Sequence, residues 1–492
     1  MPTSGNCNTK NRPILVTVNT AVTARGRWLF RRVIARPQAH LLFSVSDRIY
    51  RGGVLFTPSV LAGLAGSYRG LKAPAVDAPA AQRDPAVVAT VSEMLTEIER
   101  GGMDAVLRYA ARLDGWDGRG VELPRDEVAR CGARLPEDLR SAIELGAERT
   151  RAFALAQRSH LVDFETELVP GLAVGQRYVP VSRVGADLPA GRFPLTASAF
   201  MTVNVAKVAG VPTVLGCTPP GPDGQPNAAV VYAAHVSGID ALYVLGGVQA
   251  LAALAFGLLG QRPVDMLVGA GNAYVAEAKR QLFGTVAIDL LAGPSEVAVI
   301  ADETADPVVV AADLLGQAEH GVNSPAALVT TSEALGLAVV DEVERQLTTL
   351  ATREVAGPAW LDFGSVTWAE DAETAAVLMD DLAPEHLEVQ TADDEGYHAR
   401  LTNYGSIFLG SWSTVAYSDK GMAGTNHVLP TAGGAKHSAG LSVSRFLKPL
   451  TYQRVTQQAT PELAHAVDVI SAFEGMAAHR ATATIRLDRY KD

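Results

Sequence analysis

The sequence predicts an α/β fold built on parallel sheets, and three observations carry that prediction. From about Val181 onward, short β-branched runs (PTVLGCTPP, ALYVLGG, VDMLVGAGN) alternate with Ala-rich helical stretches (AAVVYAAHVSG, VQALAALAFGLLG, AYVAEAKRQLFG), the rhythm of βα units. Glycine-rich turns at Gly246-Gly247, GAGN and AGPSE fall where strand gives way to helix, which is where open α/β sheets place their ligands. The chain has 492 residues, and single cores stop growing near roughly 250–300, so two or more cores are expected.

Taken in order, the stretch 1–70 is Arg-rich and acid-poor: Arg12, Arg25, Arg27, Arg31, Arg32, Arg36, Arg48 and Arg51 accompany only Asp47. A poorly ordered extension is expected there, with a transit peptide as the other reading of such composition. Residues 71–180 read as a helical N-terminal segment, because VVATVSEMLTEIERGGMDAVLRYAARL repeats apolar residues at three- and four-residue intervals and breaks at Gly101-Gly102. Residues 181–300 carry the first βα run. Residues 301–415 carry a second, through PVVVAADLLGQAEHG, PAALVTTS and EALGLAVVDEVERQLTTL. Residues 416–492 are polar loops ending in a short helical tail.

Composition narrows the function. A net charge of −11 argues against a general nucleic-acid binder, which needs a basic face for phosphates. No apolar run reaches the roughly 18 residues a membrane helix requires. Cys7, Cys131 and Cys217 are few and unpaired in spacing, which fits a reducing compartment, with the cytoplasm as the expected location. Small molecules are the expected partners.

Several residues could carry chemistry. Gln317 and His320 lie three positions apart, on one face of a helix, where both could grip one metal. A capping or core histidine explains such a pair equally, so further ligands are needed. Candidates are the adjacent Glu385-His386 in LAPEHLEVQ, Asp419 in YSDKG, His427 in GTNHVLP, and Glu474 and His479 in FEGMAAH. Zinc accepts N and O donors of these types, and a carboxylate beside an imidazole can deprotonate water and move protons near neutral pH. The turn Gly269-Ala270-Gly271-Asn272 supplies two of the glycines of a dinucleotide motif and then departs from it, so it serves equally as a phosphate cradle or an ordinary βα connection.

The strings GAGNAYVAEAKRQ, AGPSEVAVIAD, DLLGQAEHG, LAPEHLEVQT, GTNHVLPT and EGMAAHRATATIRL, in this order over nearly all the chain after about Leu71, resemble the histidinol dehydrogenase family. The resemblance implies two Rossmann-like, doubly wound domains plus helical N- and C-terminal segments, in an intertwined homodimer. It implies one zinc per subunit held by Gln317, His320, Asp419 and His479, one of them from the dimer partner, and Glu385 and His386 as the catalytic pair. It places Ser295, His427 and Glu474 against substrate, and Gln249 and Asn272, with the turn at Asp187, at the NAD site. The implied reaction oxidises a primary alcohol through a bound aldehyde to a carboxylate, as from L-histidinol to L-histidine in amino-acid biosynthesis, delivering two hydrides to NAD.

Two departures stand out against the family pattern. Where the family has a Tyr in a Tyr-Val-Pro-Gly-Gly turn, this chain reads Asp187-Leu188-Pro189-Ala190-Gly191, a carboxylate in place of an aromatic platform. One extra residue separates Asp419 from His427. The segments GRFPLTASAFM and GGAKHSAGLSVSRFLK resemble the sulfopropanediol dehydrogenase branch, whose anionic substrate would welcome the cation of Lys436. The same chemistry on 2,3-dihydroxypropanesulfonate is therefore one alternative. A catalytically idle zinc-binding homologue is another, and a zinc hydrolase working through Glu385 without NAD a third.

Overall fold

A computed structural model describes residues 56–76, 84–116, 120–191 and 193–489. Most of the 1–70 extension, residues 1–55, lies outside the described residues. The remainder corrects the expectation: residues 58–72 hold a helix, Pro58–Gly63, and a strand, Tyr68–Lys72, which pairs antiparallel with Gly364–Ala369. That strand covers the edge of a parallel sheet, whose outer backbone groups would otherwise lack partners, and Leu71 packs on the core beneath.

The helical reading of 71–180 holds for Pro85–Asp114, interrupted at Gly102 with φ 58°, and for Glu137–Ser159. It fails beyond. Phe164–Val169 and Leu172–Pro180 are strands of an antiparallel hairpin turning at Gly171, and Leu447–Val455 pairs along the second of them. The side chains of Phe164–Val169 stand largely in solvent, so the chain has no buried stripe there with which to announce itself as strand.

Two six-stranded sheets organise the rest. In the first, the order runs Glu122–Leu123, Ala241–Val244, Thr213–Thr218, Arg183–Asp187, Met266–Val268, Ala287–Ile288, parallel except for the first. The chain starts at Arg183–Asp187, winds one way and then the other, so the winding reverses between Arg183–Asp187 and Met266–Val268, with Asp187 at the carboxyl end of that crevice. The helices Thr196–Val208, Ala228–Val236 and Gly247–Phe256 that cover this sheet are apolar almost all round and correspondingly buried.

In the second sheet the order is Tyr68–Lys72, Gly364–Ala369, Ala326–Thr330, Val297–Ala301, His386–Gln390, Ser406–Leu409, parallel after the edge strand. Val297–Ala301, read in sequence as the end of the first βα run, sits near the middle of the second sheet. Its residues are buried on both faces: Val297, Val299 and Ala301 join one apolar cluster, Ala298 and Ile300 the other. The mixed α/β fold with parallel sheets is as the sequence led one to expect. Among the described residues no helix is long and apolar enough to cross a membrane.

Candidate active site

Where the chain crosses from the first sheet to the second, residues 293–296 run beside the start of the strand His386–Gln390. Glu296 and Glu385 precede neighbouring parallel strands and grip each other: the Glu296 N–H donates to Glu385 Oε2 at 2.9 Å, and the Glu385 N–H donates to Glu296 Oε1 at 3.3 Å. Ala432 N–H also donates to Glu296 Oε1, at 2.9 Å. Among the described residues, the two with positive φ other than glycine, Ala383 at 50° and Ala432 at 52°, flank this junction, two residues before Glu385 and at the amide that meets Glu296. Gly405 is needed beside it, since a Cβ there would come within 2.5 Å of the Glu385 carbonyl.

His386 is buried, with Nδ1 3.0 Å from the Glu296 carbonyl oxygen. A carbonyl only accepts, so Nδ1 carries a hydrogen, and Nε2 is the nitrogen open to give up or take a proton. That Nε2 has no partner and lies 3.7 Å from Asp419 Oδ1, itself buried and without a partner. Burial would lower the His386 pKa, but the carboxylates of Glu385 and Asp419 and the Glu296 carbonyl outweigh it and hold it up at about 9. Burial and then the charge of Glu385 push Glu296 up to about 8.

Asp419 ends the short helix Val415–Asp419 and gathers three imidazoles: His320 Nε2 at 3.6 Å from Oδ2, His386 Nε2 at 3.7 Å and His427 Nδ1 at 4.0 Å from Oδ1. His427 is fixed through Nε2 by Ser198 Oγ at 2.8 Å, and burial lowers its pKa despite Asp419. Gln317 lies on the last turn of the helix Pro307–Ala318 and His320 two residues beyond its end, so the two do not share a helix face as expected; Gln317 is buried with its amide nitrogen unpartnered.

The buried, unpartnered Asp419 Oδ1 fits a metal, and Gln317 would offer its amide oxygen, since the amide nitrogen has no lone pair to give. Two ligands at about 2.1 Å in a tetrahedron lie about 3.4 Å apart, close to the 3.6 Å between His320 and Asp419. Among the described residues no three His, Cys, Asp or Glu side chains gather as a metal cage.

The other expected residues fall in three places. Ser295 is half-buried beside Glu296. Glu474 and His479 lie exposed on Thr460–Glu474 and Ala477–Arg489, helices that pack chiefly on one another and away from the cluster. Lys436 is paired with Asp381 at 3.2 Å. At the first sheet, Asn272 spends its side chain capping Ala273–Leu282, accepting from Tyr274 and Val275 N–H. Gln249 donates to Asp114 Oδ2 at 2.7 Å and keeps a buried, unpartnered Oε1. Asp187 is buried, and burial pushes its carboxyl up to about 7, with Lys279 pulling it down and Asp289 and Asp114 pushing it up. Gly269 closes over it, where a Cβ would stand 2.4 Å from the Asp187 carbonyl oxygen.

Sequence reasoning missed Glu296 and Ser198. The signal for Glu296 was present: a Glu directly before VAVIA, as Glu385-His386 opens HLEVQ, puts two carboxylates at the same end of neighbouring strands.

An α/β scaffold with a nucleotide-type crevice at one sheet and a buried Glu/His/Asp cluster at the junction with the other is the frame of a dehydrogenase. The histidinol dehydrogenase family model matches residues 78–487. A histidinol dehydrogenase homolog of Ruegeria pomeroyi is 49% identical over 415 residues, covering 84% of this chain and 95% of that one. The sulfopropanediol 3-dehydrogenase of the same organism is 44% identical (82% and 92% covered), and the histidinol dehydrogenase of Cereibacter sphaeroides 42% (83% and 94%). The crystal structure of histidinol dehydrogenase from Elizabethkingia anophelis superposes with a TM-score of 0.79 at 32% identity, covering 84% of this chain and 94% of that one. The chain belongs to the histidinol dehydrogenase family. It is an NAD-dependent oxidoreductase acting on an alcohol.

Proposed function

We propose that the protein oxidises a primary alcohol through a bound aldehyde to a carboxylate, reducing two NAD per turnover. The observation that carries this reading is the pairing of the unpartnered Nε2 of His386 with the adjacent carboxylate of Glu385, both buried at one junction. A first oxidation needs a base for the hydroxyl proton, and a second needs water delivered to a carbonyl. With the ring in its neutral form, favoured as pH rises toward about 9, His386 Nε2 takes the hydroxyl proton as hydride leaves for the nicotinamide. Glu385 then removes a proton from the water that adds to the aldehyde, and the hydrate loses a second hydride. Glu296, held largely protonated near neutral pH, limits the negative charge beside Glu385.

Zinc, when bound, supplies Lewis acidity and a template for the substrate oxygen. Gln317, His320 and Asp419 would hold it from one subunit. His479, exposed on the C-terminal helix, would complete the set from a second copy, with Glu474 of that second copy reaching the first subunit's substrate. Exposed apolar residues on those helices, Val469, Ile470 and Phe473 at 93% exposure, support an intertwined homodimer.

For the substrate, an amino alcohol of the histidinol type is favoured by the engagement of Lys436 with Asp381, which removes the cation an anionic substrate would seek. The second reading, 2,3-dihydroxypropanesulfonate, is supported by 44% identity to the sulfopropanediol dehydrogenase. NADH formation by zinc-loaded protein with each alcohol in turn separates them: the preferred substrate gives the larger kcat/KM, and silence with both would sink the reading.

A further inference from the structure

On the strand His386–Gln390, every second residue faces the helix Pro307–Ala318. Leu387 and Val389 point to the opposite apolar cluster, so His386, Glu388 and Gln390 make a polar stripe through an otherwise apolar packing face. Glu388 is 1% exposed, and Gln390 joins its carboxyl to that of Asp313. Gln390 Nε2 donates to Asp313 Oδ2 at 2.8 Å and to Glu388 Oε2 at 3.3 Å. The outer oxygens reach the helix Val415–Asp419: Glu388 Oε1 accepts Val415 N–H at 2.9 Å, and Asp313 Oδ1 accepts Thr414 Oγ1 at 3.1 Å.

Each member of this network lies on an element that delivers a site residue. Asp313 is one turn before Gln317 on the same helix face, Glu388 is two residues after His386 on the same strand face, and Thr414 and Val415 open the helix that ends in Asp419. A helix of five residues has too few internal hydrogen bonds to hold its own position. Its aim depends on what grips its first turn. Apolar side chains would fill the same space, so a buried carboxyl pair here calls for a reason beyond packing.

We infer that Asp313 and Glu388 are positioning residues for the reaction: their carboxyls, joined through Gln390, set Asp419 against Gln317, His320 and His386 by gripping the start of the Asp419 helix. This rests on the reading of Gln317, His320 and Asp419 as metal ligands.

The test is zinc affinity of the full-length protein, by competition with a chromophoric chelator, beside thermal unfolding of the chelated form. Glu388→Gln keeps an acceptor for Val415 and offers its own hydrogen to Asp313, so affinity within about threefold of wild type is expected. Glu388→Leu fills the space without the grip and is expected to weaken zinc at least tenfold. Thr414→Val, a milder cut at a half-buried position, covers the case where Glu388→Leu does not fold, and is expected to weaken zinc about threefold while the chelated form melts normally. A merely structural role would lower the melting temperature and leave the affinity of the folded protein unchanged. Wild-type affinity in folded Glu388→Leu, or in Thr414→Val if the former does not fold, overturns the inference alone. A wild-type protein that takes up no zinc overturns the ligand reading beneath it as well.

Discussion

Glu296 and Glu385 exchange hydrogen bonds, each carboxylate accepting the other's backbone N–H, at 2.9 and 3.3 Å. The exchange locks two neighbouring parallel strands at the ends where Glu385-His386 begins. It also sets two carboxyls side by side, so that one carries the negative charge more readily than the other.

Glu385→Gln should separate the two oxidations. The amide still accepts from Glu296 N–H, so the fold and His386 stay in place, and the first hydride transfer is spared. Water activation is lost. Rapid-quench and single-turnover absorbance should show one NADH per site and an aldehyde that a carbonyl reagent traps; equal slowing of both steps would remove Glu385 from the water-activating role.

The pH dependence of stability should report Glu296. Its carboxyl stands at about 8 in the folded protein against 4.5 as the ordinary value. A carboxyl raised on folding contributes stability that is full below about 4.5 and is lost as pH rises through about 8. Glu296→Gln keeps the acceptor for Ala432 and Glu385 N–H and has no proton to lose. Its stability, and with it the melting temperature, should therefore gain on wild type between pH 5 and pH 9, the stability by a few kcal/mol at most at about 1.4 kcal/mol per pKa unit. Parallel melting curves across that range would contradict the placement of the proton.

At the first sheet, Asp187 should oppose the cofactor. A carboxyl at about 7 is substantially charged at pH 8, at the end of the crevice where the winding reverses. Asp187→Asn should lower the KM for NAD at pH 8 with kcat unchanged, and should stabilise the fold as pH passes 7 but not at pH 4. An unchanged KM would place the nucleotide elsewhere.

Subunit mixing should test whether His479 acts across an interface. Asp419→Ala and His479→Ala should each lose zinc and activity. Dissociated and reassociated together, they should recover about one quarter of wild-type activity, because about half the dimers are mixed and each mixed dimer holds one intact site of its two. Zero recovery alongside demonstrated mixed dimers would put both ligands in one chain.

Much of the fold was legible because the buried strands are β-branched on both faces and the helices Ala-rich, as in VAVIA and AAVVYAAHV. The hairpin at 164–180 was not, since its exposed strand lacks the alternation that marks a half-buried one. Within the site, His320, His386 and His427 stand around Asp419, brought there from four separate motifs. Glu296, Asp313 and Glu388 stayed hidden: a carboxylate inside an apolar run reveals its partner only once the register between strands and the helix above them is known. Asn272 shows the reverse, a motif residue whose side chain is used as a helix cap.

The most direct test of the central claim counts NADH against alcohol consumed by zinc-loaded enzyme with L-histidinol or 2,3-dihydroxypropanesulfonate at saturating NAD. Two NADH and one carboxylate per alcohol are expected. One NADH, with the aldehyde as the released product, would contradict the assignment of Glu385 to a second oxidation.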